Sequence, residues 1–295
     1  MALDDNAVVV AAKGYVFTAD VGTAAPSPAD VDTLDPELFG CQTVTFAVTG
    51  TPTGGSFTVK FASGDTPATI PWNATPDQVQ TLVEALASVG ADNTSVAGAA
   101  LPAGTITVTF CEALEGETLT ATVVDAGLTG GSTPHATVTT TTAALTWKMV
   151  GHTSREKMPE FGFSGGKPKL RGTWQRKALR EVMPNEPEED YIMLRLEQFD
   201  VDALNLYYGD LDTSVNGVVG VPGENPPIEK AVLVWIVDGD TALAFYAPKA
   251  AVERDSSIEL PIDDFAGFPI KATFLDLPRK KRFYWISKDL LGTAV

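Results

Sequence analysis

The chain has 295 residues and a mass of 31.2 kDa, and 44% of its residues are hydrophobic. A chain of this size and composition can bury one large core or two moderate ones, and we expect two domains. Its 38 acidic and 21 basic residues give a formal net charge of -17, which repels the phosphate backbone of nucleic acids. The composition therefore argues against a protein that reads DNA sequence.

The two cysteines, Cys41 and Cys111, lie far apart and lack the companion ligands of a zinc site. We expect two buried thiols rather than a disulfide, in a protein made in a reducing compartment. Near the start of the chain, Asp4 and Asp5 stand where a signal peptide carries positive charge. The longest apolar run, residues 231–237, is far shorter than the roughly 20 residues of a membrane-spanning helix. We therefore expect a soluble protein.

Residues 1–40 are predicted to form an arm. They begin with a predicted strand at residues 7–18 and continue through Pro26, Pro28 and Pro36 and several acids. This composition favours extended, exposed chain that becomes ordered against a neighbouring subunit.

The composition changes abruptly at residues 42–142, which contain one base, Lys60, against eight acids and are rich in Thr, Val, Ala and Gly. Alternation of apolar and polar residues predicts strands at residues 43–48, 57–61 and 105–110. These residues indicate a separate domain.

One helix is predicted between the strands of this domain. Thr75 is expected to cap it, Pro76 to occupy its first position, and Gly90 to end it. Its apolar stripe contains Val79, Leu82, Val83 and Leu86. Strands followed by one helix and further strands indicate a small α+β or β-sandwich module.

The sequence pattern of residues 143–295 predicts mainly strands. Over residues 167–181, bases including Lys167, Lys169 and Arg171 alternate with the apolar residues Leu170, Trp174 and Ala178, which predicts one half-buried strand with a basic solvent face. Apolar residues at every second position of residues 192–196 predict a second strand. We expect these two strands to pair as a long hairpin.

Three further features follow along the chain. Residues 200–209 have an Asp at the start, apolar residues at helical spacing and a glycine at the end, which predicts the one helix of this part. Residues 231–237, a turn at residues 238–240 and residues 242–247 predict a β-hairpin that is covered on both faces. The last predicted strands are residues 258–261, 270–277 and 283–286.

No catalytic or cofactor-binding pattern emerges. The glycines before Lys167 lack the spacing and the Ser or Thr of a phosphate-binding loop. His152 and Ser154 lack a GxSxG elbow, and the other histidine, His135, lies in the separate domain, so we interpret His152 and Ser154 as turn-capping residues. We predict no catalytic residue and no cofactor.

Metal binding is not indicated either. Asp200, Asp202, Asp210 and Asp212 lack the glycine and the final glutamate of a calcium-binding loop, so capping and solvation explain them better. Paired carboxylates are so common in this chain that no pair indicates glycosidase chemistry. We predict no metal site.

Two basic segments stand out in this acidic chain. Arg279, Lys280, Lys281 and Arg282 precede three aromatic residues, an interleaving typical of nucleic-acid binders. At a net charge of -17 we favour ion pairs between subunits for this segment and for the bases of residues 167–171.

Several segments, in the same order along the chain, resemble major tail tube proteins of long-tailed actinobacteriophages. They are AKGYV at 12–16 with GTAAP at 22–26, GHTSRE at 151–156, PEFGF at 159–163, RGTWQ at 171–175, QFDVDALNLYYG at 198–209 and GFPIKATFL at 267–275. The resemblance implies a β-barrel or sandwich, flanked by a helix and built from residues 1–41 and 143–295. It also implies hexameric rings that stack into a tube for the genome.

The separate domain resembles a module inserted into many phage structural proteins, through residues 69–86, 103–110 and 127–131. We therefore predict that residues 42–142 are an inserted surface domain that projects from the outer wall of the tube. Inserted domains succeed at exposed loop tips, where entry and exit lie close together. This domain either contacts carbohydrate on the host surface or decorates the tail.

The resemblance also defines the expected partners. They are further copies of the chain, the tape measure and tail-terminator proteins, and double-stranded DNA that passes without specific binding. No membrane is implied, and the expected location is the virion, after assembly in the host cytoplasm. The residues assigned to intersubunit contacts are His152, Ser154, Arg155, Lys167, Lys169, Arg171, Arg279, Lys280, Lys281 and Arg282.

One structural choice and two alternative functions remain open at this level. Either the hairpin at residues 167–198 or the one at residues 231–247 is expected to pair edge to edge with a neighbouring subunit. A β-sandwich adhesion or decoration protein would also explain the Thr- and Gly-rich strands. A hydrolase would need a nucleophile and a base that the sequence does not bring together.

Overall fold

The structure is a computed structural model that describes residues 8–157, 159–165, 169–171, 173–182, 188–209, 211, 217–224 and 226–288. The chain divides into two compact units. The first unit contains Met1–Thr33 and Met149–Val295, and the second unit contains Leu34–Lys148. The second unit includes all of the predicted inserted domain at residues 42–142.

Strands dominate both units. The helices are α1 (Pro28–Thr33), α2 (Pro76–Glu84) and α3 (Val201–Tyr208). The strands are β1 (Lys13–Ala19), β2 (Gln42–Thr49), β3 (Gly54–Lys60), β4 (Ala68–Pro71), β5 (Thr94–Gly98), β6 (Ile106–Phe110), β7 (Thr122–Val124), β8 (Leu128–Thr129), β9 (His135–Thr142), β10 (Lys148–Met149), β11 (Glu160–Ser164), β12 (Lys169–Arg171), β13 (Arg180–Val182), β14 (Glu189–Leu196), β15 (Ile228–Asp238), β16 (Thr241–Arg254), β17 (Phe268–Phe274) and β18 (Tyr284–Ile286). The predicted mainly β fold is therefore confirmed.

The largest sheet has eight strands in the order β10, β1, β15, β16, β17, β14 and β11, with β18 paired to β16 beside β17. Its two ends, β10 and β11, do not pair with each other in the described part of the chain. The sheet is thus open, and closure into a barrel within one subunit is not observed.

The β15–β16 hairpin forms the centre of this sheet. Its strands meet through a two-residue turn at Gly239 and Asp240, where Gly239 has a positive φ of 59° that suits a tight hairpin turn. Residues 231–235 are buried on both faces, as their apolar sequence predicts. Because β15 lies between β1 and β16, and β16 also pairs with β17 and β18, this hairpin is interior. The prediction that it offers an edge to a neighbour is wrong.

Strand β14 confirms the buried face predicted for residues 192–196, because Ile192, Leu194 and Leu196 are all buried. It pairs with β11 on one side and with β17 on the other. Both sides of β14 are therefore occupied, so the predicted long hairpin with residues 167–181 is wrong. Those residues instead form the short β12–β13 pair, outside the main sheet.

Helix α3 matches its prediction. The Asp200 carboxylate accepts a hydrogen bond from the Ala203 amide at 2.7 Å, and Gly209 ends the helix. The prediction of one helix in this unit is wrong, because α1 forms within the predicted arm. Ser27 and Asp30 exchange hydrogen bonds as a capping box before and within α1, and Val31 is buried. Local capping therefore gives the proline-rich segment a helical turn instead of an extended path.

The second unit contains two four-stranded sheets, β5-β6-β2-β9 and β4-β3-β7 with β8 on β3. The apolar residues of the predicted strands are buried together with α2 in one core. Thr75 and Gln78 form a complete capping box at α2, as the sequence predicts. The helix ends at Glu84, before Gly90, because the chain continues through tighter turns in which the Leu86 amide donates to the Val83 carbonyl and the Val89 amide donates to the Leu86 carbonyl.

The cysteines form a disulfide between Cys41 and Cys111 within the second unit, so the prediction of two free thiols is wrong. The reason lies in the strand pairing. Gln42 on β2 faces Phe110 on β6 in an antiparallel register, and this places the residues just outside that pair opposite each other. Their Cα atoms are 4.9 Å apart, within the range that a disulfide spans.

A buried carboxylate fixes the end of β3 to the segment after α2. Asp65 accepts hydrogen bonds from the amides of Phe61 (3.1 Å), Ala62 (2.8 Å) and Ser88 (3.0 Å), and from the Ser88 hydroxyl (2.5 Å). Burial acts to raise the pKa of Asp65, but these hydrogen bonds outweigh burial and hold the pKa below its ordinary value.

Replacing Asp65 with alanine is expected to lower the free energy of unfolding of the second unit by about 2 kcal/mol at pH 7, because it leaves buried donors unsatisfied. Because the pKa of Asp65 is lower in the folded than in the unfolded chain, the ionised carboxylate stabilises the fold fully above the ordinary aspartate pKa of about 4. This stabilisation is lost as the pH falls through the pKa of Asp65 in the folded chain. Urea unfolding at pH 7 and pH 3 should therefore show a smaller difference at pH 3. Asp77→Ala, at an exposed site, is the control and should cost less than about 1 kcal/mol. An equal loss for both variants would contradict this role of Asp65.

Among the residues that the structure describes, even the longest helix, α2 with nine residues, is too short to span a bilayer.

Candidate intersubunit surfaces

The predicted contact residues His152, Ser154 and Arg155 lie in a turn that follows β10. The Gly151 backbone has a positive φ of 83°, and a side chain there would collide with Gln198. The His152 amide donates to the Gln198 side chain at 3.1 Å, and the Ser154 amide donates to the Arg195 carbonyl at 2.8 Å. The turn is thereby fixed against the end of β14.

Within this turn the predicted contact residues differ in accessibility. The Ser154 side chain is only 2% exposed, and its hydroxyl accepts a hydrogen bond from the Lys157 amide at 3.2 Å. This is the capping role that the sequence predicts. His152 and Arg155 are exposed and accessible to a neighbouring molecule.

The second group of predicted residues lies on the β12–β13 pair. We define the basic hairpin as residues 169–182, which contain five bases and one acid. Lys167 lies outside the described residues, and for Lys169 the structure describes the backbone alone. Arg171 is exposed, and its carbonyl accepts a hydrogen bond from the Leu179 amide at 2.9 Å.

The large apolar side chains that the structure describes in the basic hairpin do not face a core. Leu170 and Leu179 are exposed, and Trp174 is 103% exposed. The predicted half-buried strand is therefore wrong in its burial as well as in its length. Arg171, Arg176, Lys177 and Arg180 are exposed together with these apolar residues, so they are available for contact with another molecule.

The third group, Arg279 to Arg282, lies in the turn before β18. Lys280 donates to the Gly22 carbonyl at 2.8 Å and lies 5.9 Å from the ring centre of Tyr246. Arg282 forms ion pairs with Asp190 at 2.9 Å and Asp276 at 3.2 Å. These two bases thus have partners within the chain, whereas Arg279 and Lys281 have exposed side chains.

The pKa values of Arg282 and Tyr246 reflect these contacts. Hydrogen bonds from Arg282 to Asp276 and then to Asp190 raise the pKa of the guanidinium. Burial, followed by the neighbouring Tyr284, raises the pKa of Tyr246 to about 12, so its hydroxyl stays protonated and donates to the Thr23 carbonyl. The segment is a fixed part of the first unit.

Sequence reasoning missed a fourth surface, which we call the acidic loop, residues 255–267. It carries four acids and no base. Its base is closed by the Glu259 and Gly267 backbones, which exchange hydrogen bonds. Three large apolar residues between these positions, Leu260, Ile262 and Phe265, are exposed, and Ile262 is 100% exposed. The run of apolar and acidic residues without a base is the signal that could have identified this loop.

Arg195 holds the acidic loop from beneath. Its side chain is 5% exposed although it lies on the alternating strand β14, where the sequence predicts a solvent-facing residue. It forms ion pairs with Glu259 at 3.3 Å and Asp264 at 3.7 Å, and donates to the Phe265 carbonyl at 2.8 Å. A side chain at Gly267 would meet the Arg195 Nε at 2.1 Å, so this close packing requires glycine.

The surfaces carry charge and apolar area but no metal-binding geometry. Among the described residues, no group of three or more His, Cys, Asp or Glu side chains could hold a metal ion. The arrangement can form protein contacts through exposed bases, acids and large apolar side chains.

Comparison with known proteins identifies the family of this chain. The profile of a family described as phage tail tube protein matches residues 1–84 and 112–295. The chain is 48% identical to the major tail protein Gp23 of Mycobacterium phage D29 over 155 residues, which are 52% of this chain and 77% of that protein. It is 48% identical to Gp23 of Mycobacterium phage L5 over 153 residues, which are 52% of this chain and 76% of that protein.

A further relative is the tail sheath protein of Mycobacterium phage Bxz1, which is 44% identical over 88 residues, 30% of this chain and 14% of that protein. The relatives are structural proteins of phage tails and not enzymes. The family match extends over both ends of the chain and well over half of its length. The chain therefore belongs to the phage tail tube protein family.

Proposed function

We propose that this chain assembles into hexameric rings that stack into the phage tail tube, the conduit through which DNA leaves the virion. The observation that carries the proposal is the family match together with 48% identity to two mycobacteriophage major tail proteins. The chain is a structural component of the virion tail. Its proposed neighbours are further copies of itself, the tape measure protein and the tail-terminator protein, with assembly in the host cytoplasm.

The charge of the chain supports a conduit for DNA. The residues outside 42–142 carry a net charge of -10, since residues 42–142 account for -7 of the total of -17. A tube with an acidic bore repels the duplex and prevents it from adhering to the wall. DNA then slides through without specific contacts.

The exposed bases described above supply the proposed ion pairs between subunits. Arg155 lies in the turn after β10, Arg171 lies in the basic hairpin, and Arg279 and Lys281 lie before β18. In a chain with so many acids, exposed bases are the scarce partners of intersubunit ion pairs. The end strands β10 and β11 provide the sheet edges through which neighbouring subunits can continue the sheet.

Replacing Arg155 and Arg171 with glutamate is expected to raise the subunit concentration at which rings and tubes form by about tenfold, because two attractive contacts become repulsive. Negative-stain microscopy and sedimentation of the full chain measure this threshold. The control is Lys60→Glu with Ser95→Glu, which adds negative charge to the second unit. Wild-type chain that stays monomeric at every concentration would overturn the proposed function, whereas normal tubes from the Arg155 and Arg171 variant would overturn only these contacts.

We also propose that residues 42–142 form an inserted surface domain on the outer wall of the tube. The relative from phage D29 has about 200 residues, since 155 residues are 77% of its length, and this chain is longer by about the size of the proposed insert. In this position the domain either contacts carbohydrate of the host surface or decorates the tail.

A variant that lacks residues 42–142 and carries Cys41→Ser is expected to form tubes at a concentration within about twofold of the wild-type threshold. The physical reason is that an insert at a loop tip adds few contacts to the fold that receives it. Electron microscopy should show tubes of reduced outer diameter and unchanged bore. Failure of this variant to assemble, with a first unit that is still folded, would contradict the exterior position of the insert.

A further inference from the structure

The two most exposed large apolar side chains among those described are Trp174 on the basic hairpin, at 103%, and Ile262 on the acidic loop, at 100%. Each is accompanied by two exposed apolar neighbours within the same short segment, Leu170 and Leu179 in the hairpin, and Leu260 and Phe265 in the loop. Side chains that are this exposed make no contact with each other within one chain. Clustered exposed apolar residues mark sites of protein contact.

The two segments are complementary in charge as well as in apolar character. The basic hairpin has five bases and one acid, and the acidic loop has four acids and no base. Asp263 and Asp264 lie between the exposed Ile262 and Phe265, and Arg171, Arg176 and Lys177 are exposed around Trp174. Opposite charges around an apolar centre are the usual arrangement of a specific interface.

We propose that the acidic loop of one subunit is the docking surface for the basic hairpin of a second copy of this chain. Trp174 is the anchor that packs against Ile262 and Phe265, and the bases of the hairpin pair with the acids of the loop. This inference rests on the proposed tube assembly and specifies one of its interfaces.

The loop is braced by contacts within its own chain. These are the Arg195–Glu259 ion pair, the Glu259–Gly267 bridge and the Lys157–Glu259 ion pair at 3.2 Å. A surface that is already fixed loses little conformational entropy on association, so more of the contact energy becomes affinity. This explains why a basic residue is buried at Arg195, beneath a loop whose apolar residues face outward.

The interface is heterologous, because hairpin and loop are different parts of the same chain. A heterologous contact leaves one free hairpin and one free loop at the two ends of every complex, so addition of subunits continues until a ring closes or a filament forms. This is the geometry that a stacked tube requires.

Two single variants test the proposal. Trp174→Asp removes the hairpin anchor and keeps the loop, while Ile262→Asp removes the loop anchor and keeps the hairpin. Each variant alone is expected to raise the threshold for tube formation by about 30-fold, the effect of losing an interface hot spot. Their equimolar mixture has one intact hairpin and one intact loop, so it should form a complex with twice the mass of either variant's own particle and no longer polymer.

Sedimentation velocity of the full chains measures these masses, and Val218→Asp, at another exposed apolar site, is the matched control that should assemble like wild type. Both test positions are exposed, and circular dichroism should show unchanged folding. Normal tubes from either variant, or a mixture that behaves like its separate components, would overturn the docking surface while wild-type tubes still support the proposed function. Absence of wild-type assembly would overturn both.

A second readout locates the contact. In tubes assembled from Gln175→Cys and Pro261→Cys chains, whose cysteines lie at exposed positions beside the intact anchors, a short thiol-specific cross-linker should join the two variants into a covalent dimer. Gln175→Cys mixed with Val218→Cys is the control and should give at least tenfold less product. Equal cross-linking in both mixtures would contradict the proposed pairing of hairpin and loop.

Discussion

Replacing both Cys41 and Cys111 with alanine is expected to lower the free energy of unfolding of the second unit by about 4 kcal/mol. The disulfide joins residues separated by 70 positions, so it closes most of the chain of this unit into one loop. In the chain-entropy description, the stabilisation by a cross-link increases with the logarithm of the loop length. Alanine also leaves no unpaired polar group at Cys41, which is buried.

Urea unfolding of the full chain, followed by brief proteolysis and mass spectrometry of peptides from residues 42–142, measures this loss. The oxidised wild type should resist unfolding to higher urea than the variant. Reduced wild-type chain is the matched comparison and should unfold with the variant, whose midpoint should not respond to reductant. If the variant and the oxidised chain unfold at the same urea concentration, the disulfide does not stabilise the second unit.

The disulfide also shows where sequence reasoning ends. The strands on both sides of the bond are evident from alternating apolar residues, and β2 and β6 are found where that alternation predicts them. The sequence contains no information on which strands pair, however, and the spacing of Cys41 and Cys111 alone gives no reason to join them. Only the antiparallel register of β2 with β6 brings the two residues opposite each other.

Elements that depend on local interactions were predicted well. The caps of α2 and α3 and the turn of the β15–β16 hairpin are each determined by residues a few positions apart. The alternation of Ile192, Leu194 and Leu196 likewise reports one buried face of β14. Local signals of this kind require no knowledge of the remaining fold.

The basic hairpin and Arg195 show the opposite case. Residues 167–181 have the alternation of a half-buried strand, but both neighbouring positions beside β14 are taken by β11 and β17. The alternation of β14 predicts that the Arg195 side chain faces solvent, yet the acidic loop folds over it and buries it. Tertiary packing decided both outcomes.

Replacing Phe245 with alanine is expected to destabilise the first unit by about 4 kcal/mol, the usual cost of removing a large buried aromatic side chain. Phe245 lies on β16, is fully buried, and its ring lies against four others, with centroid distances of 4.5 Å to Phe161, 5.0 Å to Trp285, 5.1 Å to Phe274 and 5.5 Å to Phe283. Phe245→Leu retains much of the volume and should cost about half as much. Phe265→Ala, at an exposed position, should change stability by less than about 0.5 kcal/mol.

The position of the ring cluster determines which strands should respond first. Its rings come from β11, β16, β17 and β18 and from the residue just before β18, and Phe161 and Trp285 also lie 5.2 Å apart. Strand β11 has a paired neighbour on one side, so its attachment depends on this cluster as well as on its ladder with β14. Hydrogen exchange of Phe245→Ala should therefore accelerate in β11 and β18 more than in β1 and β15. Equal acceleration of exchange in all strands would contradict this expectation. It would show that Phe245 stabilises the whole sheet equally and not the edge strand β11, which the proposed assembly uses, in particular.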